Sequence, residues 1–290
     1  MTITTLPAEG RDARTAGSHL PGALRLGAAR ARIELLTFFR ERDAVIFIFA
    51  YPVIMLAIFA TVFGEDRQGG AADGPGGIPF AQYFLPGMVA TGIMLTSFQS
   101  LAISIAVQRD EGALKRLRAT PMPAVAFFLG KIGQVLLVSV VQVALLLAVG
   151  ALVFDIDLPT SASAWSVFAW VFLLGTATGA VCGVAFSVLP RTGKSASAVV
   201  TPVVLVLQFV SGVFFVFTDL PTWMQRVAEV FQLKWMAQGM RSVFLPPEAS
   251  DWEASGSWQH GTTALVLTAW LVLGLVVGVR TFRWRRRDDG

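Results

Sequence analysis

The chain has 290 residues, of which 54% are hydrophobic and only 14% charged, and its mean hydropathy is +0.65. A soluble domain carries about 25% charged residues, so this composition excludes an ordinary soluble protein and predicts a polytopic membrane protein. The net charge of +4 does not indicate nucleic-acid binding, because the basic residues flank apolar runs, where retention on the cytoplasmic side explains them.

The first 43 residues divide into a tail and an amphipathic helix. Residues 1–21 are rich in Gly, Ala, Thr and Arg without periodicity, which predicts a disordered cytoplasmic tail. Residues 22–43 place Leu26, Ala29 and Ile33 at helical spacing among several arginines. This pattern predicts a connecting helix that lies on the inner membrane surface. An ordinary cytosolic amphipathic helix is the alternative on the same pattern.

Six apolar runs follow, each close to the ~20 residues that cross a bilayer. They predict an all-α transmembrane domain over residues 44–285, with spans at Ala44–Phe63, Phe84–Val107, Ala124–Phe154, Trp165–Leu189, Ala196–Phe217 and Gly261–Phe282.

The basic residues predict the orientation of these spans. Nineteen of the 23 Lys and Arg residues fall on one side: in the tail and first helix, in the second connection with Lys131 just inside the third span, in the fourth connection and in the C-terminus. Four fall on the other side. We therefore expect a multi-pass protein of the cell membrane with both termini in the cytoplasm. Lys131, near the inner end of the third span, is expected to extend towards the lipid headgroups.

On the outer side, residues 218–260 are more than a loop. Trp223, Val227, Val230 and Phe231 share one helical face. The segment predicts an extracellular hairpin of one or two short helices that dip into the outer leaflet or cap the bundle.

A polar, mostly basic segment at 108–120 lies between the second and third spans. Its acidic residues precede its basic ones, which suits the dipole of a short helix, and two leucines three residues apart form its apolar edge. Thr120 precedes a proline, which ends the helix. A charged loop that only determines topology is the alternative. The residues concerned are Asp110, Glu111, Leu114, Lys115, Arg116, Leu117 and Arg118.

No catalytic or metal-binding group is predicted. The triplet Gly193-Lys194-Ser195 lacks the earlier glycine of a phosphate-binding loop, since Val188 stands there, and a membrane span precedes it. The two histidines are far apart and have no metal-ligand spacing. No span carries a carboxylate at its centre, which disfavours an ion-coupled carrier and leaves the chain without an evident energy source.

The spans contain regularly spaced glycines and scattered polar residues, and the two groups are interpreted separately. The glycines recur every four residues and predict close helix packing, within the chain or across a dimer, at Gly175, Gly179, Gly183, Gly274 and Gly278. The polar side chains either line a passage for an amphiphilic substrate or hydrogen-bond neighbouring helices. Our candidates for the passage are Gln99, Thr201, Gln208 and Ser211.

The stretch from Gln108-Arg109-Asp110-Glu111-Gly112 to Thr120-Pro121 resembles the signature of the membrane subunits of type-2 ABC exporters. This class includes daunorubicin-type drug-efflux permeases and exporters of polysaccharide and teichoic acid. Pro86-Gly87 and the region from Ser211-Gly212 to Leu220-Pro221 are also similar. Asp110 replaces a usual glutamate and Ala113 a usual threonine. The resemblance covers about residues 28–285.

The resemblance implies a homodimer, bound to membrane lipids, that works with a separately encoded ATPase. ATP and Mg²⁺ would bind that partner, with no cofactor on this chain. Segment 108–120 would be the coupling helix that docks into the ATPase through the seven residues named above. The function implied is export of a hydrophobic drug, antibiotic or secondary metabolite. The alternatives are export of a polysaccharide or lipid-linked glycan, and a regulatory or sensory membrane subunit that transports nothing.

Overall fold

A computed structural model describes residues 22–64, 78–120 and 123–282, and this part of the chain is helical with no β-strand. The predicted tail, residues 1–21, lies outside the described residues. The helices are α1 (Ala23–Arg40), α2 (Arg42–Gly64), α3 (Phe80–Met94), α4 (Ser100–Asp110), α5 (Ala113–Arg118), α6 (Ala124–Val153), α7 (Ala162–Phe186), α8 (Gly193–Val210), α9 (Thr222–Val230), α10 (Gln232–Phe244) and α11 (His260–Thr281).

Six helical segments in the described part are long and apolar enough to cross a membrane, which confirms the predicted all-α bundle of six spans. They are Arg42–Phe63, Phe80–Asp110, Val125–Val153, Ala162–Phe186, Gly193–Val210 and His260–Thr281.

The second span forms the centre of the bundle. Of its most apolar window 83% is buried, against 17% for the first span and 28% for the fifth. A π-helical turn, Leu95–Gln99, joins α3 to α4 in the middle of this span. Hydroxyls support the turn: Ser97 donates to the carbonyl of Ile93 at 2.5 Å, and Thr96 lies 2.5 Å from the hydroxyl of Ser139 on α6. Side-chain hydrogen bonds of this kind stabilise irregular backbone inside a membrane protein.

The fifth span ends earlier than predicted, at Val210 instead of Phe217. Gly212 adopts a left-handed conformation (φ 66°), and the chain turns back into the bundle. Phe217 is fully buried in a short 3₁₀ turn beside this glycine. Hydropathy averages over the turn and extends the apolar run through it, so the prediction of this boundary was wrong.

The segment after this turn enters the bundle. α9 exposes its apolar residues Trp223, Val227 and Val230. By contrast, every residue from Gln232 to Arg241 on α10 is buried, and α10 packs between α3, α7 and α11. α10 is therefore an internal helix that does not itself span the membrane.

α1 packs along the inner half of α6. Gly27 on α1 lies against Leu129, and Gly130 on α6 lies against the stem of Arg30, so the two backbones approach closely. The opposite face of α1 exposes apolar side chains, including Ile33 and Phe39. Glu41 alone separates α1 from α2.

Candidate coupling and translocation site

The segment between the second and third spans is not the single short helix that we predicted. α4 continues to Asp110, Gly112 then takes a left-handed conformation (φ 71°), and α5 runs only from Ala113 to Arg118. A left-handed residue ends an α-helix and redirects the chain. Asp110 and Glu111 therefore lie at the C-terminal end of α4 instead of in the first turn of the coupling helix.

The turn from Asp110 to Arg118, where α4 gives way to α5, is called the corner here, and two contacts hold it in place. The guanidinium of Arg109 donates hydrogen bonds to the carbonyls of Ser187 (2.7 Å) and Pro190 (3.2 Å), which tie the end of α4 to the loop after α7. Leu114 on α5 is completely buried in an apolar cluster that includes Leu101 and Phe127. The corner is thus fixed to three spans.

The predicted coupling residues fall into two groups. Leu114 faces the chain's own core, so it anchors α5 and cannot offer an apolar contact to another protein; Leu117 is half-buried beside it. Glu111, Lys115 and Arg116 are exposed. For Arg118 the structure gives only its position, at the end of α5. The corner therefore exposes charged side chains, while the buried Leu114 holds its helix against the bundle.

A cavity of about 460 Å³ lies beside this corner, between α1, α2, α4, α6 and α8. Gln99 and Thr201 both line it, so the structure brings together two of the four predicted passage residues. Gln208 and Ser211 do not line it. Gln208 accepts a hydrogen bond from the hydroxyl of Tyr51 at 2.7 Å, and Ser211 is buried where α8 ends.

A largely buried ionic cluster forms part of one wall of the cavity, and we name it the inner cluster: Arg30, Glu34, Gln108 and Lys131. The ammonium of Lys131 bonds the Glu34 carboxylate at 2.7 Å, and Arg30 pairs with the same carboxylate from one turn earlier on α1. The amide of Gln108, at the end of α4, lies 3.4 Å from it. The cluster therefore joins α1 to α6 and to the end of α4, close to this corner.

Lys131 does not extend to the headgroups as predicted; it is 1% exposed and turned inwards to Glu34. The partner was missed because Glu34 lies on a different helix, 97 residues away. The sequence did contain a signal for the burial of Glu34. Glu34 lies seven residues after Gly27 and four before Phe38, so all three residues share one face of α1, and this is the face that is buried.

A second buried ionic cluster, the outer cluster, consists of Lys234, Gln238, Arg241 and Glu253. Arg241 donates to Glu253 at 2.7 Å and to the carbonyl of Gly212 at 3.0 Å. Lys234 bonds Gln238 and lies 3.8 Å from Glu253. Burial lowers the pKa of Lys234 from 10.5 to about 8, against the opposing influence of Glu253. This cluster fixes α10 to the turn that ends the fifth span.

The remaining motif has a structural explanation. Thr192 and Ser195 form a capping box at the start of α8, so the Gly193-Lys194-Ser195 triplet begins a helix. Gly193 also lies against Val107 and Asp110 of α4, where a larger residue would meet backbone. Among the described residues, no group of three His, Cys, Asp or Glu side chains could hold a metal ion.

Six spans, an internal helix and a charged corner at one end define an integral membrane protein. A family model for the ABC-2 type transporter matches residues 29–245, about three quarters of the chain, and the chain therefore belongs to this family. The match begins within α1 and includes the corner between α4 and α5 and the whole of α10.

Curated relatives agree with this assignment. The chain is 25% identical over 197 residues, 67% of its own length and 74% of theirs, to proteins named inner membrane transport permease YadH from Escherichia coli K12 and Shigella flexneri. The protein is thus a multi-pass membrane subunit of an ABC transporter, similar in sequence to a transport permease.

Proposed function

We propose that the chain is the permease subunit of an ATP-driven exporter and that its coupling corner docks into a separate ATPase. ABC-2 permeases generally work with an ATPase subunit. The observation that carries the proposal is the corner itself: an exposed charged surface, Glu111, Lys115 and Arg116, on a helix anchored by the buried Leu114. An anchored helix transmits force, whereas a loose loop would absorb it.

The position of the cavity supports coupling to transport. Glu111 is exposed at the corner and also lines the 460 Å³ cavity, so the same residue lies at the docking surface and at the proposed passage. A movement of the corner would alter the inner end of the cavity directly. ATP binding on the partner would then shift the subunit between inward- and outward-facing states.

The surfaces of the spans support a dimer within lipid. The first and fifth spans are buried least among the spans that line the cavity, and α8 exposes Val206 and Phe209. A second copy of the chain can cover these faces and enclose the passage, and lipid covers the rest. The corner and both termini face the cytoplasm in this arrangement, as the distribution of basic residues predicts.

For the substrate we propose a hydrophobic drug, antibiotic or secondary metabolite. The cavity has the size of sites that bind drug-like molecules. Its wall combines apolar side chains such as Phe47 and Ile103 with the amides of Gln99 and Gln134. Such a mixed wall suits a compact amphiphile.

The test is transport by the permease reconstituted with its ATPase in proteoliposomes. Glu111→Ala combined with Arg116→Ala should abolish ATP-dependent accumulation of the substrate and leave the amount of inserted permease unchanged. Arg226→Ala, which removes an exposed arginine from α9, is the matched control and should transport normally. Unchanged transport by the double variant would contradict the role of the corner.

A further inference from the structure

We propose that the 460 Å³ cavity binds organic amines: molecules with an apolar body and one protonated nitrogen. The inference rests on the proposed export function and names the chemical class of its substrate.

The charges that line the cavity have one sign. Three carboxylates, Glu34, Glu41 and Glu111, contribute to its wall, and among the described residues no lysine or arginine does. Glu34 is already neutralised by Lys131 and Arg30. The other two carboxylates lie on different segments, Glu41 between α1 and α2 and Glu111 directly after α4, and both line the same cavity. The charge of Glu41 also acts on Lys131 behind this wall.

An amide without a partner lies in the same wall. Gln134 on α6 is 6% exposed, and the oxygen of its side chain is buried with no hydrogen-bond partner among the residues that the structure describes. An unsatisfied buried acceptor costs free energy that a ligand carrying an N–H donor removes. Gln134 therefore indicates a donor, which agrees with the sign of the carboxylates.

The rest of the wall suits the apolar part of such a ligand. Phe38, Phe47, Ile48, Leu95 and Ile103 line the cavity from α1, α2 and the second span. Phe38 and Ile48 also belong to one buried cluster that joins α1 to α2. A ligand can therefore place its apolar body against these side chains and its ammonium group near Glu41.

The experiment uses the full-length chain in lipid nanodiscs and a matched pair of fluorescent probes. Dansylcadaverine carries a primary amine, and its N-acetyl derivative has the same body without the charge. Fluorescence titrations, corrected with empty nanodiscs, should show saturable binding that is about three- to fivefold tighter for the amine, the range expected for one partly exposed ion pair.

Variants then identify the groups responsible. Glu41→Gln keeps the shape of the side chain and should reduce the preference for the amine, and Glu41→Gln combined with Glu111→Gln should remove it. Neither change should alter the affinity for the N-acetyl probe. Gln134→Leu should weaken both probes, because both carry an N–H donor. Glu248→Gln, which changes an exposed carboxylate far along the chain on the outer side, should change neither.

Equal affinity of the wild-type chain for the two probes, or equal loss of both in Glu41→Gln, would overturn the inference. Tighter or unchanged binding in Gln134→Leu would remove that residue from the site. Binding is measured without ATP, so such a failure would leave the proposed coupling to an ATPase intact. Because Glu111 also lines the cavity, the separate test of coupling is Arg116→Ala alone, which leaves the cavity wall unchanged and should reduce transport without changing the binding of either probe.

Discussion

The inner and outer clusters have the same composition and different surroundings. Each places one carboxylate between two cations: Glu34 between Arg30 and Lys131, and Glu253 between Lys234 and Arg241. The carboxylate and the lysine are at most 3% exposed in both clusters. The clusters differ because the inner carboxylate lines the cavity and Arg30 is 15% exposed, whereas Arg241 is 2% exposed.

The difference lies in what each cluster adjoins. The outer cluster ties α10 to the turn at Gly212 and lies away from the cavity. The inner cluster joins α1, α6 and the end of α4, and its carboxylate lines the cavity.

The largest effect on stability is expected for Glu253→Gln. The change leaves Lys234 and Arg241 buried beside a neutral side chain, and breaking a buried pair in this way costs about 3–5 kcal/mol. The midpoint of thermal unfolding in detergent should fall accordingly. Glu248→Gln, an exposed neighbour in the same turn, should change the free energy of unfolding by about 0.5 kcal/mol or less. Equal midpoints for the two variants would contradict the assignment of a buried cluster.

Glu34→Gln should destabilise less, by about 2–3 kcal/mol, because Arg30 can reach water and only Lys131 remains buried without a carboxylate. The same thermal measurement checks it. Adding Lys131→Met should restore most of the loss, since an apolar side chain carries no charge to desolvate. If the double variant is less stable than either single variant, the two residues do not act as a pair.

Gly183 and Gly278 both lie at helix contacts, but the neighbouring atoms are much closer at Gly183. A methyl group at Gly183 would lie 2.7 Å from the carbonyl oxygen of Phe98, which is backbone in the π-helical region of the second span. At Gly278 the nearest atoms would be 3.9 Å away. Gly183→Ala should therefore cost about 1–3 kcal/mol through overpacking, and Gly278→Ala about 0.5 kcal/mol or less, both measured by unfolding. Equal effects would mean that α7 does not approach the second span this closely.

A further expected effect is a pH dependence of the free energy of unfolding that arises at Lys234 in the outer cluster. The pKa of Lys234 is lower in the folded protein, about 8, than its ordinary value of 10.5. Between these values the unfolded chain binds more protons than the folded chain, so the free energy of unfolding rises with pH across this window. The unfolding midpoint of the wild type should rise relative to that of Lys234→Met between pH 8 and 10. Parallel pH profiles would show that Lys234 does not titrate in this way.

Hydropathy and charge predicted the number of spans and the polar connection between the second and third spans, because both signals extend over many residues. Helix breaks that depend on the conformation of one residue were not predictable in the same way. Gly112 and Gly212 break helices that composition alone continues, since a glycine in an apolar or basic run has no distinct hydropathy signal. For the same reason the helix of the fifth span was extended to Phe217.

The ionic clusters were missed for a different reason. Glu34 and Lys131 are ordinary charged residues near the ends of two helices, and only the packing of α1 on α6 shows that they form a pair. The passage candidates illustrate the same limit. Gln99 and Gln208 look alike as amides within apolar spans, yet one lines the cavity and the other is held by Tyr51.

The most direct test of the account is mild-detergent purification of the tagged chain from its native host, followed by mass spectrometry of the co-purifying proteins. We predict a stoichiometric soluble ATPase with the wild type and with Arg226→Ala, and its loss when Glu111 and Arg116 are both replaced by alanine. A dimeric preparation that contains no ATPase, or one that retains the ATPase in the double variant, would contradict the proposed coupling corner.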